Sequence, residues 1–359
     1  MSYSFVLTGG GTGGHVFPAI AVARVLSDRG HRLLFIGTER GIESRIIADA
    51  GYVMEHIRIG ALNRVGFRRQ IRTAGELPFS VAAASKILKR FEPAAVFSMG
   101  GFVAGPVMIA AILQKIPLIV MEPNAFPGFA NRHIARYVYR ALLSFQSTRC
   151  WFPAAKSEIT GLPVRSEFFS VSRKSEGPFT IFVTGGSGGS RTLNRASRES
   201  WPLFRERATN VRIVHQTGTA EHAALAEEFA VLGLDGEVVP FIRDMAGAFA
   251  QADLVIARSG AGSVSEIAAA GMPSILVPFP FAADDHQKQN AQAFQDAGAA
   301  RMVLDADMNG DRLFREVQSL RCDAESLIQM RERVKQFARP GAAERAASVM
   351  EEAAASAAR

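Results

Sequence analysis

At 359 residues the chain is long for one ordinary core, so two domains of roughly 150–200 residues are expected. Its apolar and charged fractions are those of a soluble globular protein, and its two cysteines, Cys150 and Cys322, lie too far apart in sequence for a disulfide framework or a cysteine-rich zinc site, which suits a reducing cytoplasm. The formal charge is +7, and no apolar stretch reaches the roughly 18–20 residues that span a bilayer, so any membrane contact is expected to be peripheral.

The first apolar run, 3–8, follows no basic segment and breaks at Gly9, which is the pattern of a first strand and not of a signal peptide. Gly9-Gly10-Gly11-Thr12-Gly13-Gly14 then leads into a helix from about His15. Such a turn lets backbone amides approach a ligand and aims the positive end of a helix at an anion. At the helix mouth the dipole disfavours a charged His15, which suits either a neutral imidazole acting as base or donor, or a structural hydrogen bond to a nearby loop. Gly9-x-Gly11-x-x-Gly14 also fits the dinucleotide fingerprint, for which Glu39, beyond a second strand at 32–36, would be the ribose-holding acid. Hydride chemistry would leave a second glycine turn, further along, unexplained. The P-loop sequence is absent, which argues against a kinase or ATPase of that class.

A helix from about Ile42 is followed by the segment 61–91, which holds seven basic residues and one acidic. Arg68, Arg69, Arg72, Lys86 and Lys89 are interleaved there with Leu77, Phe79 and Val81. That mixture fits an anionic lipid surface, the alternative being a core helix with a solvated basic face. Nucleic acid is not expected, because no binding module is visible. Strands at 95–98, 118–121 and 139–143 alternate with helices from about Val103 and Gly128, a pattern that predicts a parallel sheet covered by helices on both faces.

After a Ser-, Pro- and Gly-rich stretch at 161–178 the pattern restarts with a strand at 179–184 and a second glycine turn, Gly185-Gly186-Ser187-Gly188-Gly189-Ser190. Two such turns across a cleft imply a ligand held from both sides. Strands follow at 212–215, 238–241, 254–257 and 274–277. The most specific segment, 257–271, leaves a strand and opens a helix with small residues. Amides at Ala261, Gly262 and Ser263 suit a diphosphate there, and Glu266, one turn further, suits the two hydroxyls of a ribose. Asp284-Asp285-His286-Gln287 carries the amides and acids that a sugar edge requires, while Asp284, Asp285, Asp305 and Asp307 read as helix caps more readily than as a metal-nucleotide site.

With these motifs in order, the chain resembles the MurG family of undecaprenyldiphospho-muramoylpentapeptide β-N-acetylglucosaminyltransferases. The likeness rests on residues 8–18, Met99-Gly-Gly-Phe-Val-Ala-Gly-Pro106, Glu122-Pro-Asn-Ala125, Gly161-Leu-Pro-Val-Arg165, Gly185-Gly-Ser187 and residues 258–271. It departs at Gly188-Gly189-Ser190, where the family commonly has Gln-Gly-Ala, and at Pro123, where many relatives have glutamine. The resemblance implies an α/β, GT-B fold of two Rossmann-like parallel-sheet domains facing a deep cleft. These would be an acceptor and membrane domain at 1–163, a UDP-sugar domain at 164–340, and a helix at 341–359 packing back on the first. It implies inverting transfer without metal or cofactor, from UDP-N-acetylglucosamine to lipid I, at the cytoplasmic face of the inner membrane, with proteins of cell-wall synthesis and division as candidate partners. Thr12, Gly13, Gly14, Asn124, Arg165, Ser187, Ile242, Ala261, Gly262, Ser263, Val264, Ser265, Glu266 and Gln287 would surround the donor. Ile242 would meet uracil through its backbone, Glu266 the ribose, and Gln287 and Asn124 the sugar hydroxyls. His15 is the candidate base, and 62–90 falls where the family is thought to touch the membrane. The rival readings are another enzyme of this fold, such as a UDP-sugar epimerase or a diacylglycerol glycosyltransferase, and a nucleotide-sugar sensor.

Overall fold

The computed structural model describes residues 2–11, 13–39, 41–60, 67–172, 174, 176–207 and 209–357, and of residues 67–74 the backbone alone. Thr12 and the start of the basic segment lie outside them, as do the side chains of Arg68, Arg69 and Arg72. The chain divides into two units, Met1–Val164 with Arg339–Arg359, and Arg165–Ala338.

The first unit runs β1 (Ser4–Thr8), α1 (Gly13–Asp28), β2 (Arg32–Gly37), α2 (Ile42–Asp49), β3 (Met54–His56), α3 (Phe67–Phe91), β4 (Ala95–Ser98), α4 (Ala104–Leu113), β5 (Leu118–Glu122), α5 (Phe129–Ile134), β6 (Arg140–Leu143) and β7 (Ser157–Ile159). Its strands form one sheet in the order β3-β2-β1-β4-β5-β6-β7, every pairing parallel. Central strands with helices on both faces are buried on both sides, which is why they read as unbroken apolar runs. Phe5, Val6 and Leu7 are all inaccessible. Register sets Val6 beside Leu34 and Val96, and these join Val107, Met108 and Val120 in one core.

The second unit runs β8 (Phe179–Thr184), α6 (Arg191–Glu206), β9 (Val211–Gln216), α7 (His222–Leu232), β10 (Gly236–Val239), α8 (Met245–Gln251), β11 (Leu254–Ala257), α9 (Ala261–Ala269), β12 (Ser274–Leu276), α10 (His286–Asp296), β13 (Arg301–Met302), α11 (Gly310–Arg321) and α12 (Ala324–Val334). Its sheet order is β10-β9-β8-β11-β12-β13, again parallel. Ile181, Ile213 and Leu254 align across the sheet beneath Trp201 and Phe204 of α6. The strand expected at 238–241 lies two residues earlier, because its ladder follows β9 and ends where Val239 meets Gln216, before Pro240. The edge strands β3, β7 and β13 are too short and polar to have been read from alternation.

The last helix, α13 (Ala342–Ala357), returns to the first unit and packs on α1. It buries Ala346, Val349, Met350 and Ala353. Arg345 pairs with Glu158 at 2.7 Å, and Glu351 with Arg29 and His31 at 2.7 and 2.8 Å. Burial of Val349 and Met350, worth about 1.5–3 kcal/mol each, outweighs such partly exposed pairs at about 0.2–1 kcal/mol. The apolar stripe therefore docks this helix, and the ions set its register.

Candidate active site

Each sheet reverses its winding once, between β1 and β4 in the first unit and between β8 and β11 in the second. In parallel sheets the crevice beyond the carboxyl ends at such a reversal is the usual ligand seat. Both glycine turns lie at these points.

In the first unit, Gly13 and Gly14 are the opening residues of α1, with His15 directly after them. The ring Nδ1 lies 3.2 Å from Gly10 O. A carbonyl only accepts, so Nδ1 carries the hydrogen and a neutral ring keeps its lone pair on Nε2. The turn after β4 packs against this one: a Cβ at Gly101 would stand 3.1 Å from Gly10 O and 3.7 Å from His15 Nδ1. Beneath the turn lies a carboxylate that no sequence motif singled out. Glu43 of α2 is buried and accepts from Gly11 N at 3.1 Å, Thr38 N at 3.2 Å and Thr38 Oγ1 at 2.6 Å. Burial alone would raise its pKa, but these hydrogen bonds outweigh it and hold the carboxyl below its ordinary value. Cβ atoms at Gly10 or Gly41 would fall 2.6 and 2.1 Å from Glu43 atoms, so both glycines clear room for it. Glu39, the acid proposed for a dinucleotide ribose, is exposed, and the acid that faces the turn is spent on the protein's own amides. The Gly11 amide is thus committed to Glu43.

Asn124 follows β5. Its N and Nδ2 donate to Glu122 Oε1 at 3.1 and 3.3 Å, while Gly128 N and Asn131 Nδ2 donate to Oε2 at 3.0 and 2.9 Å. Burial pushes Glu122 up to about 7 against these four donors. The loop is thus folded around one carboxyl.

In the second unit the expected residues follow the carboxyl ends of the strands of one sheet: Ser187 after β8, Ile242 after β10, Ala261 to Glu266 after β11 and Gln287 after β12. Ser187 is exposed at the tip of its turn. Gly189 closes that turn at φ +75°, where a Cβ would stand 2.0 Å from Thr217 O, so only glycine fits. Gln216, at the end of β9, donates to Gly186 O at 3.0 Å and accepts from Ile242 N at 2.8 Å. It was not foreseen, and it occupies the N–H of Ile242. Gly260 is the N-cap of α9, with no side-chain cap, so the first amides of the helix lack an intrahelical partner. Val264 lies deeper: its N–H bonds Gly260 O at 3.0 Å and its side chain is buried, so it offers a ligand no donor.

Glu266 Oε1 sits 3.6 Å from Arg165 Nη2, with 26% of its side chain exposed. Burial raises its pKa to about 7, Arg165 opposing and Glu167 adding to the rise. Arg165 also pairs with Glu167 at 3.0 Å and lies over the Phe168 ring. Gln287 Oε1 accepts from Phe279 N at 3.0 Å, and its Nε2 is 3.8 Å from where a Cβ on Gly260 would be. α10 is fastened there by Ser259 Oγ donating to Gln287 O at 2.8 Å and Asn290 Nδ2 to Ser259 O at 3.1 Å.

Of the acids read as caps, Asp305 and Asp285 make no side-chain cap bond. Asp305 pairs with Arg258 at 2.5 Å and accepts from Thr192 Oγ1 at 3.1 Å, fixing the turn before α9. Asp285 stands at the N-cap of α10 but is left-handed at φ 51° and makes no side-chain cap bond.

On α3, Phe79 is 77% exposed and Leu77 half-buried, whereas Val81 packs against the core with Ala84 and Leu88. Helical phase separates them: Phe79 shares the outer face with Ala82, Lys86 and Lys89, so Val81 does not belong to that face.

Parallel sheets with glycine turns at both reversals and an open helix end beside a carboxylate are the build of a GT-B glycosyltransferase. Residues 5–143 match the glycosyltransferase family 28 N-terminal domain, and residues 180–346 the family 28 C-terminal domain. The chain is 54% identical over 352 residues to the UDP-N-acetylglucosamine--N-acetylmuramyl-(pentapeptide) pyrophosphoryl-undecaprenol N-acetylglucosamine transferase of Solibacter usitatus, covering 98% of this chain and 96% of that one. It is 40% identical to the protein of the same name from Syntrophus aciditrophicus, over 89% and 90% of the two chains. The crystal structure of Acinetobacter baumannii MurG superposes with a TM-score of 0.82 at 31% identity, covering 98% of this chain and 99% of that one. The chain belongs to this family of N-acetylglucosaminyltransferases, the MurG family.

Proposed function

We propose that the chain transfers N-acetylglucosamine from UDP-N-acetylglucosamine to the 4-hydroxyl of the muramoyl residue of lipid I, giving lipid II. The observation that carries this reading is the near-full-length identity to relatives named for that transfer. The open end of α9 beside Glu266 supports a nucleoside diphosphate as donor.

In this reading the second unit takes the donor. The carbonyl of Ile242 accepts from uracil N3–H, and ionised Glu266 accepts from the ribose hydroxyls. Amides of Ala261, Gly262 and Ser263, with Arg165 and Ser187, face the diphosphate, and their positive ends balance its charge without a metal. Gln287 addresses the sugar. The first unit takes the acceptor. The 4-hydroxyl oxygen bonds the anomeric carbon on the face opposite UDP while the bond from that carbon to the β-phosphate oxygen breaks. The hydroxyl proton passes to His15 Nε2, the bonding electrons leave with UDP, and the configuration inverts.

Incubation of the protein with labelled donor and a short-chain lipid I analogue is expected to yield the disaccharide product. Isomerised donor, or donor bound but not consumed, would overturn the assignment.

A peripheral site at the cytoplasmic face of the inner membrane completes the reading. It is supported by Phe79 standing out beside Lys86 and Lys89. No helix among the described residues is long and apolar enough to cross a membrane. Each basic residue near an anionic surface contributes about 1 kcal/mol. Changing Phe79 to serine with Lys86 and Lys89 to alanine is therefore expected to cut co-sedimentation with phosphatidylglycerol vesicles at least about tenfold. Val81→Ser should instead lower the melting temperature. Undiminished vesicle binding by the triple variant would move the membrane face elsewhere.

A further inference from the structure

Two hydrogen bonds described above meet on one peptide group. His15 Nδ1–H donates to the carbonyl of Gly10, and the N–H of the same trans peptide, that of Gly11, donates to Glu43 Oε2. We propose that Glu43 is a positioning residue that acts on His15 through the Gly10–Gly11 peptide, fixing the ring with its lone pair on Nε2 and strengthening it as the proton acceptor in glycosyl transfer. The inference rests on the reading of His15 as the base.

The physical link is polarisation. A carboxylate accepting from an amide N–H draws positive charge to that side of the peptide and increases the negative charge on the carbonyl oxygen, so the carbonyl becomes a stronger acceptor. A stronger acceptor at Nδ1–H stabilises the imidazolium that forms when Nε2 takes the hydroxyl proton. It plays the part a carboxylate plays when it meets a catalytic histidine directly. Here the carboxylate is one peptide removed and buried. The surroundings are shaped for this. Gly10 and Gly41 leave the volume a side chain would take from Glu43, and Thr38 anchors Oε1 so that Oε2 faces Gly11. Glu43 is held ionised by those bonds.

Among the described residues, other charged groups near the two turns do not duplicate it. The turn after β4 brings Gly100, Gly101 and Phe102, which do not titrate, and the β5–α5 loop brings Glu122, whose oxygens serve Asn124, Gly128 and Asn131. The Arg29, His31 and Glu351 cluster packs at the far end of α1.

The test compares the wild type, Glu43→Gln and His15→Ala in the transfer assay and by nitrogen-15 NMR of labelled histidine. Glutamine removes the charge and keeps the shape and, with its oxygen toward Gly11, an acceptor there, while its NH2 faces Thr38, whose hydroxyl can turn to accept. With the melting temperature kept within a few degrees, Glu43→Gln is expected to lower kcat about tenfold, to leave the donor KM within about twofold, and to move the acidic limb of the kcat profile about half a unit toward lower pH. An unaltered kcat and limb in a folded Glu43→Gln overturns the proposal. The wild type decides even if that variant does not fold. Neutral His15 must carry its proton on Nδ1, and its ring shifts must move together with the Gly11 amide as Glu43 is protonated in acid. A proton found on Nε2, or uncoupled shifts, overturns it as well. Normal turnover in His15→Ala would instead remove the base reading beneath it.

Discussion

His15→Ala is expected to lower turnover by about 10²–10⁴-fold, the usual contribution of a positioned general base, with UDP affinity unchanged in calorimetry. The expectation follows from where the ring is held. Its Nδ1 is occupied by Gly10 O at the mouth of α1, so the basic nitrogen of the neutral ring is Nε2. An acceptor-hydroxyl proton removed only as the new glycosidic bond forms belongs to the transition state, and its loss should therefore appear in kcat. Turnover equal to wild type would take His15 out of the chemistry and leave it a brace between the turns after β1 and β4.

Glu266→Ala should act on the other substrate, weakening UDP binding about 10- to 100-fold with little effect on the rate of bound donor. Two hydroxyl hydrogen bonds to a carboxylate are each worth about 1.5–3 kcal/mol, part of which water restores in the variant. Binding should also depend on pH. Burial raises Glu266 to about 7 in the free protein, and only the ionised form accepts from both hydroxyls. UDP affinity should therefore fall as pH drops from 8 to 6, and Glu266→Gln should reduce that slope to the part the terminal phosphate of UDP, which itself titrates near about 6, supplies. Stability of the free protein runs the opposite way. A carboxyl whose folded pKa is raised contributes stability that is fully present below its unfolded value and lost as pH rises through about 7. UDP should offset that loss most at alkaline pH. Retained UDP affinity in Glu266→Ala, or a flat pH profile in the wild type, would refute the ribose assignment.

Much of the site was legible because its requirements are local. The run from Gly260 to Glu266 announces an open helix end with an acid one turn in, and the structure has that arrangement at the edge of β11. The Gly185–Ser190 turn was equally readable, since positive φ at Gly186 and Gly189 requires glycine. Spacing along the chain was less informative where helical phase decides exposure. Leu77, Phe79 and Val81 look like one apolar patch in sequence, yet a helix sends Val81 to the core with Ala84 and Phe79 outward. Asp305 looked like a cap and is the anchor of Arg258, a partner that only the pairing of β11 with β12 and of β12 with β13 brings within reach.

By itself, the sequence determined the alternation of strand and helix, the restart after residue 178 and the two glycine turns, because each is a demand the backbone makes of its nearest neighbours. Tertiary structure alone decided which acid lies under the first turn. Glu43 holds the place for which Glu39 stood nearer in sequence, since the pairing of Thr8 with Ile36 sets the end of β2 beside Gly11 and α2 then turns Glu43 inward. Gln216 binds Ile242 for a similar reason, as the ladder joining β9 to β10 sets their ends side by side. Hydrogen-bond partners are selected through space by strand register and helix phase, and no short window of sequence contains either.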